Sequence, residues 1–461
     1  MEILVKIVQL LLSLSILVVL HELGHFIPAK LFKTRVEKFF LFFDVKFSLI
    51  KLRKINGKWK VWFFTKNKNK SIPETEKTEF GVGWLPLGGY VKISGMIDES
   101  IDKEQMKKPA GKWEFRSKPA WQRLIIMLGG VTVNVLLAIV IYIVMLAVWG
   151  EEYLPTKNMK YGIACDSLAL EMGLCNGDKI LSVDNVEVED FQKIPGEIIL
   201  EEAKTIQVVR DEKQMDVTIP DGFISKLIKH KSTDFISVRF PFEIGDFSKN
   251  SAAKDAGLKI DDKIIGVNEK YLDYYDEFRT EIVKHKSETV KIAVARNSDT
   301  LHVPVKVSED GLIGVQSKGL TNYFEIKKHE YTFLQAIPAG AVKAYKAVGN
   351  YLKQLKLLFS PETKAYESLG GFISIGKIFP AEWDWVAFWN LTAFLSIILA
   401  IMNLLPIPAL DGGHVLFLLY EIIFRRKPSE KFLEYAQYVG MIFLLGLLLL
   451  ANGNDVVKLF K

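Results

Sequence analysis

The chain has 461 residues, of which 49% are hydrophobic, 12% aromatic and 25% charged. Its mean hydropathy of +0.16 is too high for a simple water-soluble globule, and its aromatic content excludes a disordered chain. Two cysteines exclude a disulfide-dense scaffold or a Cys-rich zinc finger, and a net charge of +6, unevenly placed, does not argue for nucleic acid.

The first apolar segment runs from about Ile7 to Leu20 and continues into His21-Glu22-Leu23-Gly24-His25. It reads as a membrane span rather than a secretory signal, because Glu2 and Lys6 cancel and no small-residue cleavage site follows. On a helix, positions i and i+4 share a face, so both imidazoles reach one ion. Glu22 between them is then placed as a general base. Ionisable groups at the end of a membrane span are costly, which marks this trio as functional.

The stretch from Lys30 to Ala120 carries 21 Lys+Arg against 10 Asp+Glu and reads as a cytoplasmic loop. Within it, Gly81–Val91 is an apolar strand pair with glycines at the turn, too short to span a bilayer. The second apolar segment, Leu124–Gly150, is uncharged and long enough to cross. Asn134 inside it needs a partner.

From Glu151 to Glu330 the balance reverses, with 25 basic and 33 acidic residues, placing this block outside the cytoplasm. It contains a tandem repeat. Asp166–Asn185 and Asn250–Glu269 align at an offset of 84 residues, matching Gly173 with Gly257, Asp178 with Asp262 and Ile180 with Ile264. Each copy reads as a short helix, a Gly-Leu stop, an Asp-led turn and an apolar strand. Two copies point to sibling domains rather than a solenoid. Cys165 and Cys175 fall in the first of these two domains, either as a disulfide or as two buried thiols.

Residues 330–360 interleave Leu, Ala and Tyr with lysines at helical spacing, suiting a helix along the membrane or one packed on the repeat. The third apolar segment, Trp385–Tyr420, holds one acid, Asp411, and is too long for one span; Pro406 and Pro408 must break it. Zinc at a hydrolytic centre wants three protein ligands and an open position. Asp411 is the best third ligand, ahead of His414, and ahead of Glu37 and Asp44, which lie in the loop after the first helix. The fourth segment, Ala436–Asn454, is again uncharged, and Arg425-Arg426-Lys427 places the connection before it in the cytoplasm.

His21-Glu22-Leu23-Gly24-His25 together with Asn403-Leu-Leu-Pro406-Ile-Pro408-Ala-Leu-Asp411-Gly412 resembles the site-2 intramembrane metalloproteases of the regulator-of-sigma-E protease type. The order of parts is similar over nearly the whole chain. The resemblance implies a four-helix polytopic membrane protein with a membrane-reentrant β-hairpin and two extracytoplasmic PDZ-like α+β domains. It implies one Zn2+ held by His21, His25 and Asp411, with Glu22 catalytic. Asn403, the hairpin residues Gly88, Gly89 and Tyr90, and Asn134 are expected to meet substrate. Gly370–Gly376 is similar to a loop ahead of the third span, with Phe372 where the family has proline, and Gly129-Gly130 stands where the family often has Gly-Pro.

The expected organisation follows chain order. Residues 1–30 form the first transmembrane helix, 31–120 the cytoplasmic loop with its hairpin at about 79–96, and 121–150 the second transmembrane helix. Residues 151–228 and 229–310 form the two PDZ-like domains, and 311–384 a linker with the amphipathic helix. Residues 385–424 form the third transmembrane segment, and 425–461 the fourth helix and tail. The implied activity is zinc-dependent hydrolysis of peptide bonds within single-pass membrane proteins in a bacterial inner membrane. The implied substrates are an anti-sigma factor already cut outside the membrane, or leftover signal peptides. The PDZ-like domains would be periplasmic and free to bind extracytoplasmic peptides, the active site would lie toward the cytoplasm, and no nucleic acid is expected. The rival reading is a catalytically silent PDZ-containing membrane scaffold.

Overall fold

A computed structural model describes residues 2–66, 77–86, 88–96, 109–230, 234–297, 299–361 and 370–460. The chain divides into two compact units. One comprises residues 1–150, 330–352 and 369–461, and the other residues 151–329 and 353–368.

The first unit begins with α1 (Glu2–Leu31), whose last third carries the His-Glu-His motif. The expected loop is then largely sheet. Strands β1 (Val36–Leu41), β2 (Phe43–Ile55), β3 (Lys58–Lys66), β4 (Glu79–Leu85) and β5 (Tyr90–Ile93) assemble in the order β3-β2-β4-β1-β5. This corrects the expected hairpin. β4 and β5 do not pair with each other, because β1 lies between them, parallel to β4 and antiparallel to β5. The cause is long-range: β1 supplies apolar partners on both sides, pairing Phe39 with Phe80 and with Val91. Leu87, in the connection between β4 and β5, lies outside the described residues.

Helix α2 (Ala120–Val148) packs against α1 through glycines. A Cβ on Gly24 would stand 2.3 Å from the Gly129 carbonyl oxygen, and one on Gly129 would stand 1.9 Å from that of Gly24. Two backbones this close require glycine on both helices.

The second unit holds two hydrophobic cores in sequence. The first gathers β6 (Glu151–Tyr153), β7 (Ile163–Cys165), α3 (Ser167–Met172), β8 (Lys179–Val183), α4 (Ile194–Leu200), β9 (Thr205–Arg210), β10 (Lys213–Thr218), α5 (Phe223–His230) and β11 (Ile236–Val238). The expected boundary at 228/229 moves to about 240, because Phe235, Ile236 and Phe240 are buried in this core and β11 pairs with β7. The second core gathers β12 (Ile244–Phe247), α6 (Ala252–Asp255), β13 (Lys263–Val267), β14 (Lys270–Tyr271), α7 (Tyr275–Ile282), β15 (Thr289–Arg296), β16 (Asp299–Lys306) and β17 (Val315–Ser317). It closes beyond the expected limit of 310, since β17 pairs with β12. The chain then adds Tyr323 and Phe324 back to the first core, and β18 (Lys327–His329) pairs with β6.

The repeat seen in sequence is a repeat in contacts. Asp178 is 1% exposed and receives Arg210 Nε and Nη2 at 2.7 Å each, while Nη2 also donates to the Gly173 carbonyl. Asp262 receives Arg296 in the same fork at 2.6 Å, and that guanidinium donates to Gly257. Gly173 and Gly257 end their helices at φ of 102° and 95°, a left-handed region that favours glycine. Removing one arginine leaves a buried carboxylate without its fork, a loss of about 3 kcal/mol. Arg296→Ala is therefore expected to strip hydrogen-exchange protection from residues 244–306 while sparing the first core. Burial raises the Asp262 carboxyl and the Arg296 fork and Lys259 N–H lower it, with the net value below the ordinary 3.8. The stability this pair contributes is present above pH 3.8 and is lost as pH falls through the depressed value.

Both cysteines are free in this structure and half-buried. Burial pushes the Cys165 thiol up to about 12, so it stays protonated at neutral pH.

Helix α8 (Phe333–Phe359) is amphipathic as expected. Its first half joins the membrane bundle, where a Cβ on Gly340 would stand 2.6 Å from Ile143 Cγ1 and Ala344 packs with Ala138 and Ile397. Helix α9 (Phe372–Ile378) follows, its first turn capped by Asp455 through the Gly371 and Ser374 N–H groups at 2.9 Å. Then come α10 (Trp385–Leu404), α11 (Asp411–Phe424) and α12 (Glu430–Leu459). The break between α10 and α11 falls at the two prolines, as their missing N–H groups demand. Gln437 of α12 accepts the Ala409 N–H at 3.2 Å, satisfying part of the broken backbone from within the protein. Among the described residues four helices are long and apolar enough to cross a membrane: Glu2–Leu31, Ala120–Val148, Trp385–Leu404 and Lys431–Lys458.

Candidate metal centre

Helices α1, α2 and α10 form a polar-stitched bundle. Thr392 donates to Ser13 at 3.0 Å, and Ser396 donates to the Asn134 carbonyl at 2.8 Å. On this frame α1 presents His21 and His25, both buried, and α11 presents Asp411 from its first turn. A carboxylate is favoured at a helix N-terminus. The turn that delivers it depends on two glycines. A Cβ on Gly412 would stand 2.1 Å from the Leu405 carbonyl oxygen, and one on Gly413 would stand 2.6 Å from that of Ile407.

The three ligand atoms make an equilateral triangle. His21 Nε2 and His25 Nε2 each lie 3.2 Å from Asp411 Oδ2 and 3.2 Å from each other. A tetrahedral zinc with bonds of about 2.0 Å has ligand–ligand edges of about 3.3 Å, so the triangle fits one face of such a site. The protonation pattern agrees. His25 Nδ1 donates to the Ile126 carbonyl at 2.8 Å, which leaves Nε2 with a lone pair. Asp411 Oδ2 is buried and accepts no hydrogen bond. Lone pairs converging on one point without protons between them are the donor set of a cation site. His21, His25 and Asp411 are the one group of this kind found among the described residues. His414, Glu37 and Asp44 stand outside it, Glu37 being paired with Lys92 at 3.7 Å and Asp44 accepting from Tyr90.

Asn134 is fully buried and approaches His21 Nδ1 at 3.1 Å. The expected substrate contact thus falls on a side chain that packs against a histidine in this structure. The Asn134 amide nitrogen faces His21 Nδ1 while its Oδ1 is buried without a partner; with Nε2 of His21 turned to the ligand triangle Nδ1 carries the proton, and turning the amide over would let Oδ1 accept it. Such outer-shell bonds fix tautomer and ring orientation. Asn403 sits at the triangle itself, its amide 3.3 Å from His21 Nε2, and is half-buried.

Gly130 forms the floor. A Cβ there would stand 2.5 Å from His25 Nε2 and 2.6 Å from His21 Cε1. Gly130→Ala is expected to displace both imidazoles and lower zinc affinity at least about 100-fold, read as bound zinc in purified protein. Gly446→Ala, with nothing within 4 Å, is the matched control and should bind zinc normally.

The sheet brings a strand edge to Glu22. A Cβ on Gly89 would stand 3.6 Å from Glu22 Cγ and 2.7 Å from the Phe40 carbonyl oxygen, so only glycine lets β5 come this close. The Val91 backbone N–H faces the same carboxylate. Gly88 turns at φ 141°. Tyr90 points elsewhere: its hydroxyl donates to Asp44 at 2.8 Å and its ring stacks on Phe40 and Phe43. Sequence reasoning missed the roles of Gly24, Gly130 and Asn134 toward the histidines. The signal available was a Gly-Gly pair and a lone amide in an otherwise apolar span.

The chain is similar over nearly its whole length to known proteins. Protease RseP of Yersinia pestis is 28% identical over 489 residues, covering 100% of both chains. The regulator of sigma E protease of Haemophilus influenzae is 28% identical over 97% of this chain and 98% of that protein. A Campylobacter jejuni protein whose name describes a zinc metalloprotease is 27% identical over 97% of this chain and 92% of its own. The model of peptidase family M50 matches residues 9–65 and 70–447, which span both histidines, Glu22 and Asp411, and the chain therefore belongs to peptidase family M50.

Proposed function

We propose that this protein is an intramembrane zinc endopeptidase that hydrolyses peptide bonds within the transmembrane segments of single-pass membrane proteins. The observation that carries the reading is the 3.2 Å triangle of His21, His25 and Asp411 beside Glu22, on helices apolar enough to span a bilayer. Bound at these three residues, zinc would supply Lewis-acid activation of water and of the scissile carbonyl.

The chain's own residues do the rest. Glu22 takes a proton from the attacking water and returns one to the leaving amine. Asn134 and the Ile126 carbonyl hold the imidazoles in one tautomer. Asn403, beside the triangle, is placed to hydrogen-bond the substrate carbonyl as charge develops. A transmembrane helix hides its own carbonyls in hydrogen bonds, so it must unwind before attack. Among the described residues β5 is an edge strand of the sheet and borders Glu22, which supports addition of the unwound segment as a sixth strand.

The names of the relatives, the acidic middle block and the basic loops support a bacterial inner-membrane enzyme. Its active site lies toward the cytoplasm and its two PDZ-like domains in the periplasm, where they admit substrates already shortened outside the membrane. An anti-sigma factor or a leftover signal peptide fits that description. The test is cleavage, in membranes, of a single-span protein truncated on its extracytoplasmic side. Cleavage is expected to stop with a zinc chelator and resume on adding zinc. Cleavage that persists through chelation would overturn the reading.

A further inference from the structure

The two faces of the five-stranded sheet differ: one mixes charged side chains with Phe40, Tyr90 and Trp62, and the other is mainly apolar. On the mixed face Lys51 and Arg53 pair with Glu79 at 3.5 and 3.6 Å. The apolar face is covered at one end, where Phe39 and Phe80 meet Phe26 of α1 edge to face with ring centroids at 5.6 and 5.9 Å. Cross-strand register carries that face outward. Phe80 pairs with Leu52, Leu52 with Val61, and Ile50 with Phe63, so these side chains share one side. At the β2–β3 end the cover stops: Trp59 is 58% exposed and Phe63 65%. Isolated exposed apolar residues need no explanation, but a continuous row of them on an edge hairpin does.

Charge identifies the occupant. Residues 43–66 hold seven Lys+Arg and one acid, Asp44, and Lys46, Lys58, Lys60 and Lys66 are exposed. Trp beside apolar side chains, ringed by lysines, matches the headgroup region of a bilayer carrying anionic lipid. The face is also continuous with α1, a helix apolar enough to span. We infer that the β2–β3 hairpin is a second membrane contact, lying in the headgroup layer of an anionic bilayer with Trp59, Val61 and Phe63 toward the acyl chains. The inference rests on the membrane-spanning reading of α1 and not on proteolysis. Its effect would be to hold the sheet, and with it β5, at a fixed depth beside Glu22.

The test uses the full chain with Cys165→Ser and Cys175→Ser, carrying a fluorophore at Val61→Cys, Phe63→Cys or, on the opposite face of the same hairpin, Lys60→Cys. Each is reconstituted in phosphatidylcholine vesicles with or without phosphatidylglycerol and quenched by nitroxide-labelled lipid. Several-fold stronger quenching at 61 and 63 than at 60 is expected. It should deepen with phosphatidylglycerol and lose that dependence when Lys58, Lys60 and Lys66 become Gln in the position-61 protein. Quenching equal on the two faces, or indifferent to phosphatidylglycerol, overturns the inference. So does a label at 61 that is shielded from water yet unquenched by lipid, which would mean that protein covers the face. None of these readouts depends on turnover, so the contact stands or falls separately from the proposed protease.

Discussion

Glu22→Gln is expected to leave zinc content and the fold intact while reducing cleavage of a truncated single-span substrate at least about 1,000-fold, within the range attributed to a positioned general acid–base. The reason is geometric. Glu22 lies between the two histidines on α1 but is not one of the three converging ligands, so its amide replacement removes a proton acceptor without removing a donor from the metal. Glutamine has the same size and meets the same Val91 N–H, so β5 should keep its place. Two measurements on one preparation decide the matter, namely bound zinc and initial cleavage rate. Loss of zinc together with activity would make Glu22 a structural residue of the site. Normal cleavage would mean that another group moves the proton.

The contrast between what was legible in the sequence and what was not follows the range of the interactions. His21, Glu22 and His25 were legible because one turn of helix places them by local geometry alone. Asp411 was legible because a single acid in a long apolar stretch must find a cation or a partner. The break at Pro406 and Pro408 was legible for the same local reason. The sheet was not. Residues 36–66 alternate lysines with aromatic residues, which reads as a basic loop until β1 is seen to lie between β4 and β5. Strand order is set by partners tens of residues away, and nothing in Gly81–Val91 announces that its two strands pair with a third. The boundary near 240 was missed likewise, since Phe235 and Ile236 reach back to β7 rather than forward. Asn134 was visible as an oddity, but whether it faced substrate or a histidine depended on how α2 docks on α1. That docking is set by Gly24 and Gly129, whose meaning appears only when both backbones are in place.

Asp411→Ala should abolish stable zinc binding, with an effect larger than the ~10–100-fold typical of losing an outer-shell partner. Two histidines remain, and His414 lies one turn further along α11, outside the triangle. The substitution removes the one anionic ligand, so the two remaining ligands are neutral imidazoles and the divalent ion loses the charge bound directly to it in a poorly hydrated bundle. Asp411→Asn separates the two contributions. It keeps an oxygen near the position now 3.2 Å from both imidazoles but not the charge, and should bind zinc more weakly than wild type yet better than the alanine variant. Metal content after dialysis against a graded chelator series would rank the three proteins. A ranking in which Asp411→Ala matches wild type would remove Asp411 from the ligand set and return the third position to His414 or to water. A ranking in which Asn and Ala are equally weak would make charge, rather than the donor atom, the property on which this carboxylate was selected.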